Sequence, residues 1–254
     1  MFSTVRALKG YRLESLDGEI GKVKEFFFDD HHWTIRYLVV DTGNWLPGRK
    51  VLISPYTLVA IDRDIYDLKI KINLTKKQIQ SSPPLNSDLP VSRQYEQDYY
   101  GYYRLPGYWN GPHRWGSYSH IELDHEKWIE SNRAKAAWDA HLRSSQEVTG
   151  YHIQALDGAI GHVEDFLIDD YTWTIRYLVV GTRKWWPGKK VLVSPHWIER
   201  VSWDNSKVFV NLDRATIKES PEYNEESVIT RDYESDLYHH YNRKGYWIDE
   251  LAAV

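Results

Sequence analysis

Short apolar runs separated by glycine, proline and aspartate turns divide the chain into segments of the length that β-strands have. The clearest run spans residues 33–40, is dominated by aromatic and β-branched residues, and returns letter for letter at 173–180. Such residues pack well on a pleated surface. Because apolar residues occupy both alternating faces of the run, we expect a strand that is covered on both sides.

The identical octapeptide belongs to a longer internal repeat. Two units, residues 10–109 and 150–247, match at a shift of 140 that falls to 138 beyond Asp62. Each unit has the length of a domain rather than of a solenoid repeat. The predicted division is therefore a first unit at 1–109, a connecting insertion at 110–148 and a second unit at 149–254.

Within a unit, strand patterns alternate with turn signals. In the first unit six strands are predicted near residues 8–14, 19–28, 34–41, 49–53, 57–62 and 67–73. Asp17-Gly18 fits a tight hairpin turn, and Gly21 interrupts the second strand as a bulge or barrel corner does. Thr75 and Asp213 are placed to cap a short helix in each unit. The predicted fold is all-β with minor helix, namely two tandem six-stranded barrels.

A tyrosine-rich segment follows each predicted barrel, and we call it the aromatic arm (residues 93–109 and 231–247). Tyr95, Tyr99 and Tyr103 are spaced as one face of a helix. Rings with intervening arginines could stack the bases of a single nucleic-acid strand, although neighbouring acidic residues nearly cancel that charge. The favoured alternative is that each arm packs on its own or its partner's barrel. The candidate partner-binding residues are Arg36, Arg176, Tyr95, Tyr99, Tyr103, Tyr108, Trp109, Tyr233, Tyr241, Tyr246 and Trp247. In the insertion, residues 126–142 are predicted to form a helix.

Composition narrows the function classes. The chain of 254 residues has 12 Trp, 19 Tyr and 6 Phe, so buried rings should dominate its core. A net charge of -4 gives no basic field for polyanions. The absence of Cys excludes disulfides, thiolate metal sites and a cysteine nucleophile. No apolar run reaches the ~18 residues of a membrane span, so we expect a cytoplasmic protein.

Few residues suggest chemistry. The pairs Asp29-Asp30 and Asp169-Asp170 could serve acid/base work or bind a cation, but turn residues are the favoured interpretation. Arg36 and Arg176 could bind an anion, or form an internal ion pair. The histidines lack metal-ligand spacing, and Ser54 and Ser194 lack the glycines of a nucleophile elbow. We therefore expect no enzyme activity and no catalytic, cofactor or metal site.

The motifs that the two units share occur in an order that resembles the pattern of the PRC-barrel family, over roughly residues 5–85 and 147–222. The pattern is Leu-Asp-Gly, Ile-Gly-x-Val, Phe and Asp-Asp, followed by the octapeptide, and both units carry it in that order. The family is named for the cytoplasmic domain of the H subunit of photosynthetic reaction centres. A related barrel in a ribosome-maturation protein binds a ribosomal protein. The resemblance implies a six-stranded barrel that docks on partners and is not known to catalyse a reaction.

Three functions stay open at this point. The favoured one is a non-enzymatic interaction scaffold of two barrels that pair within the chain as a pseudo-dimer and bind a protein partner. The second is a peripheral auxiliary of the reaction centre or of other membrane-associated electron transfer. The third is an RNA-processing or ribosome-assembly factor, against which the acidic balance argues.

Overall fold

A computed structural model describes residues 1–47, 49–86, 91–109, 141–182, 189–226 and 228–248. Contacts divide these residues into two compact units: the first holds residues 8–143, and the second holds residues 1–7 together with 144–248. This division differs from the sequence-based one, because the first seven residues belong with the second repeat. The repeat units 10–109 and 150–247 nevertheless each lie within one compact unit.

Strands and helices are numbered in chain order. The strands up to the connecting insertion are β1 (Phe2–Thr4), β2 (Arg12–Ser15), β3 (Gly18–Asp29), β4 (Thr34–Asp41), β5 (Arg49–Ile53), β6 (Leu58–Asp62), β7 (Lys69–Ile72) and β8 (Leu85–Asn86). After it come β9 (Leu142–Ser144), β10 (His152–Ala155), β11 (Gly158–Asp169), β12 (Thr174–Gly181), β13 (Lys190–Val193), β14 (Ile198–Ser202) and β15 (Lys207–Val210). The helices are α1 (Val5–Leu8), α2 (Lys76–Gln80), α3 (Arg93–Tyr103), α4 (Ser145–Val148), α5 (Arg214–Glu219) and α6 (Arg231–His240).

Both units arrange their strands in the same order. In the first unit the neighbours run β5-β4-β3-β2-β7-β6; β2 and β7 are parallel, and the other neighbouring pairs are antiparallel. The second unit repeats this order as β13-β12-β11-β10-β15-β14, with the parallel pair at β10 and β15. The all-β class with minor helix is therefore confirmed.

The central octapeptide forms β4 and β12. Every residue from Thr34 to Val40 is buried, and the same holds from Thr174 to Gly181, so the prediction of a strand covered on both faces is confirmed. In the first unit its bounds, Thr34–Asp41, agree with the strand predicted near residues 34–41. Trp33 and Trp173 stand before it with left-handed φ angles of 49° and 59°, and both rings are buried.

The second strand of the first unit, β3, contains a β-bulge at the position that the sequence predicts. The bulge predicted at Gly21 is present: Leu13 pairs with Gly21 and Glu14 with Glu19, which leaves one residue of β3 unpaired. A Cβ atom at Gly21 would collide with the carbonyl oxygen of Asp41. Only glycine therefore permits this close approach of the two strands.

The predicted helices around the barrels are confirmed. Thr75 caps α2 in a capping box, and Asp213 caps α5. The aromatic arms begin as α3 and α6. Among the described residues, no helix is long and apolar enough to cross a membrane.

Two predicted boundaries are wrong. The first strand starts at Arg12 rather than near residue 8, because residues 5–8 form a helical turn that Gly10 ends at a φ of 84°. Leu142 begins strand β9 instead of ending a helix. Residues 126–140 of the helix predicted at 126–142 lie outside the described residues.

Candidate functional site

The first aromatic arm packs on its own barrel. Tyr99, Tyr100 and Tyr108 are buried and join a cluster with Tyr37 and other apolar side chains of the barrel. The Tyr99 hydroxyl donates to the carbonyl of Leu52 (3.0 Å) and accepts from the backbone N–H of Ser54 (3.0 Å). The arm is thus fixed both by ring burial and by hydrogen bonds to the end of β5.

A buried carboxylate, Glu96, organises the contact between arm and barrel. It is fully buried, and its Oε1 accepts from the hydroxyls of Tyr108 (2.6 Å) and Tyr37 (3.2 Å). Its Oε2 lies 2.9 Å from Nη1 of Arg93 and 3.2 Å from Nε2 of His141. Two hydroxyl donors thus meet one oxygen of Glu96, and two nitrogen-bearing side chains lie close to the other oxygen.

The tyrosines around Glu96 are held neutral. Burial, and then the negative charge of Glu96, raises the pKa of the Tyr37 and Tyr108 hydroxyls well above the ordinary tyrosine value. Both hydroxyls therefore keep the proton with which they bond the carboxylate at neutral pH.

A second ion pair lies beside this group. Arg36, in mid-strand, is fully buried and bonds through Nε to Asp29, whose Oδ1 also accepts from the backbone N–H of His32 (2.6 Å). Burial alone would raise the pKa of Asp29, but the charges of Arg36 and His32 outweigh it and lower that pKa. The internal ion-pair interpretation of Arg36 is thus the one the geometry bears out.

The second unit repeats the arrangement. Glu234 is buried, accepts from Tyr177 (2.7 Å) and Tyr246 (3.0 Å), and lies 3.0 Å from Nη1 of Arg231. Arg176 pairs with Asp169 at 3.4 Å. Two tyrosines and an arginine thus surround a buried glutamate in both arms, and His141 is added in the first.

The candidate partner-binding residues fall into two groups. Those that are buried are Arg36, Tyr99, Tyr108, Arg176 and Tyr241; those that are half-buried are Tyr95, Tyr103, Trp109, Tyr233, Tyr246 and Trp247. Direct partner binding by Arg36 and Arg176 is not supported, because their guanidinium groups are enclosed by carboxylate and tyrosine. The half-buried side chains belong to the arms themselves, and only part of their surface is open to other contacts.

Three features were missed by the sequence reasoning. Glu96 and Glu234 are absent from the predicted site residues, although a Tyr-Glu pair recurs at the same place in both arms and is a usable signal. His141, buried beside Glu96, gave no signal because it lies at the end of the insertion. The third is an exposed apolar hairpin tip.

That tip connects β6 and β7 and is peculiar to the first unit. Ile65 and Tyr66 are 78% and 90% exposed, whereas the second unit has a shorter connection here, residues 203–206, whose one large apolar side chain, Trp203, is half-buried. Asp64 fixes the turn: its Oδ1 accepts from the N–H of Tyr66 (3.0 Å) and its carbonyl from that of Asp67 (2.8 Å). Two large apolar side chains are therefore presented on a preformed turn.

A cavity of about 460 Å³ lies in the second unit, lined in part by Arg6, Glu164, Lys189 and Lys190. Its charges are mutually compensated. Lys190 lies 3.0 Å from Glu164 and 2.6 Å from Glu225, and Arg6 bonds the carbonyl of Glu164 (2.9 Å). This pattern is typical of a structural ion-pair network rather than of a site prepared for an ionic ligand.

The aspartate pairs do not converge as acid/base or cation sites would. Asp29 faces Arg36, whereas Asp30 faces Arg143, whose Nε lies 2.8 Å from Oδ2 of Asp30. Within the part of the chain that the structure describes, no three His, Asp or Glu side chains are grouped to hold a metal ion.

Comparison with known proteins adds one match. The family model of the PRC-barrel domain matches residues 3–79. No curated protein matches the chain. The matched segment contains the six strands β2 to β7 in the order described above, together with β1 and α2. The chain therefore carries a PRC-barrel domain at residues 3–79, as its motifs predicted.

Proposed function

We propose that the protein is a non-enzymatic protein-interaction module. It has two PRC-type barrels, one in the first unit and one in the second. The exposed hairpin tip at Ile65 and Tyr66 carries the proposal. The ionisable groups inside the first unit are neutralised by partners, so they hold the arm in place and leave recognition to the surface.

The tip suits a protein partner with a small apolar pocket. Its turn is fixed by Asp64, so little conformational entropy is lost on binding. Aromatic side chains in such positions are common binding hot spots. The surrounding charges balance, with three cations and three anions: Arg12, Arg63, Lys69, Asp62, Asp64 and Asp67. This balance disfavours nucleic acid and an anionic membrane surface, both of which select basic patches.

The test is quantitative capture from a lysate of the source organism with three immobilised proteins: the wild type, the double variant Ile65→Ser with Tyr66→Ser, and the control Tyr171→Ser. Tyr171 is 89% exposed in the second unit and has a similar area. We expect a set of proteins that the tip variant retains at least about tenfold less than both other proteins. Equal retention by all three would contradict the proposal.

The two alternatives predict other results. An auxiliary of photosynthetic electron transfer should float with membranes that contain reaction centres and remain behind when those membranes lack them. An RNA-binding factor should retain RNA in a manner that weakens steeply with salt. If the protein shows either behaviour, and the variant Ile65→Ser with Tyr66→Ser shows it to the same extent, the protein-docking proposal is wrong.

A further inference from the structure

The long strand β11 has an edge that its own repeat leaves partly bare. β12 pairs with residues 162–169 along one edge, whereas β10 covers only residues 158–162 on the other. Strand β1 pairs with residues 167–169 at the far end of that edge, with Phe2 opposite Asp169 and Thr4 opposite Leu167. An unpaired edge of this kind is a ready template for an extended segment.

Residues 1–7 are anchored to the second unit by more than strand pairing. The Phe2 ring lies 6.2 Å from that of Tyr177, and Val5 is buried. The backbone N–H of Arg6 donates to both carboxylate oxygens of the buried Asp165 (3.1 and 3.3 Å). The second unit thus binds this segment in three ways: by strand pairing, by apolar burial and by a carboxylate that accepts hydrogen bonds from the backbone. Together these features are typical of a peptide-binding site.

The first unit holds residues 141–143, the start of the equivalent segment that precedes the second repeat. Residues 141–148 correspond to residues 1–8 at the shift of 140, and β9 pairs with β3 as β1 pairs with β11. The carbonyl of His141 accepts from the N–H of Asp30 at 3.0 Å, and the carbonyl of Met1 accepts from that of Asp170 at 3.0 Å. The two attachments are therefore built alike.

Each site also has a group suited to its own segment. In the first unit Nε2 of His141 lies 3.2 Å from Oε2 of Glu96 and 2.7 Å from the Tyr108 hydroxyl. The segment at residues 1–7 has Met1 at the position of His141, and methionine cannot make these contacts. In the second unit Oδ2 of Asp165 lies 3.8 Å from the side-chain Nε of Arg6, and the other segment has the uncharged Gln146 at that position. Exchange of the two segments would lose these bonds.

We propose that β3 and β11 are reciprocal strand-acceptor sites, each specific for the segment that precedes the other repeat, and that this exchange holds the two halves of the chain together without residues 110–140. The PRC-barrel match supports the exchange, because it begins at residue 3 and so includes a strand that contacts place in the other unit. Exchange of an identical element between copies is a known route to paired domains.

The first test cuts the full-length protein at a protease site inserted within residues 110–140. We expect the halves to elute as one species of unchanged size after cleavage. Cleaved protein that carries both Val5→Asp and Leu142→Asp, which put charge on the buried face of each segment, should separate into halves. Halves that separate without these changes, or that stay together with them, overturn the proposal.

A peptide experiment covers the case in which the double variant fails to fold. The probe is a synthetic peptide of residues 1–9, added to full-length protein in which residues 2–7 are replaced by glycine and serine. We expect it to bind this protein but not the wild type, whose edge is occupied. The same peptide with Val5→Asp should bind at least about tenfold more weakly. No binding, or equal binding of both peptides, overturns the proposal.

Discussion

The ring of Tyr108 covers the guanidinium of Arg36, with Cζ of Arg36 3.9 Å from the ring centroid. Tyr108 thereby joins the two buried charge groups of the first unit, because its hydroxyl bonds Glu96 while its face contacts the partner of Asp29. A buried cation over a tyrosine face contributes up to about 2 kcal/mol. The arm is therefore tied to the barrel by electrostatic contacts as well as by apolar burial.

Glu96→Ala is expected to destabilise the first unit by about 3–5 kcal/mol, because it removes the buried acceptor of the Tyr37 and Tyr108 hydroxyls and the ion-pair partner of Arg93. Glu96→Gln keeps an acceptor and should cost less. The exposed neighbour Asp98 serves as control, and Asp98→Ala should change stability by no more than about 0.5 kcal/mol. Denaturant unfolding measures all three, and similar values for the two alanine variants would contradict the role of Glu96.

Trp33→Ala is expected to cost about 3–5 kcal/mol through lost ring burial, with a fall of at least about 10 °C in Tm. Trp33→Gly should be no worse than the alanine variant, since glycine adopts the φ of 49° without strain. At an ordinary position glycine is the more damaging replacement. A glycine variant clearly less stable than the alanine variant would show that backbone strain at Trp33 is unimportant.

Gly21→Ala is expected to destabilise the protein more than Gly10→Ala does. Both glycines have positive φ angles, of 148° and 84°, but a Cβ atom meets the Asp41 carbonyl only at Gly21 and meets nothing within 4 Å at Gly10. The difference should be about 1–3 kcal/mol, the usual range for overpacking. Equal unfolding free energies for the two variants would contradict the close approach of β3 and β4.

Stability should fall at alkaline pH. Burial raises the pKa of Tyr223 and Tyr241 to about 12, against about 10 in the unfolded chain. Since the folded pKa is the higher one, the stability that each provides is complete below pH ~10 and is lost as the pH rises from about 10 to about 12. Tyr241→Phe should flatten the decline of Tm between those values. Tyr171→Phe, at an exposed position, should leave the decline unchanged; the reverse result would contradict the burial of Tyr241.

The sequence by itself determined the elements and their order. Local rules suffice there: the octapeptide alternation, the Asp17-Gly18 turn, the Gly21 bulge and the Thr75 cap each involve residues close in the chain. The family resemblance rests on the same local motifs, and the match at residues 3–79 confirms it for the first repeat.

Only the tertiary structure decided which charges are buried and which unit each end segment joins. Glu96 has the local sequence of a helix surface residue, and its burial depends on Tyr37 and His141, which are distant in the chain. Residues 1–7 likewise read as the start of the first repeat, because no nearby residue records the bare edge of β11. Pairing with a strand more than 160 residues away is a long-range choice, set by which backbone edge is left open once the local hairpins have formed.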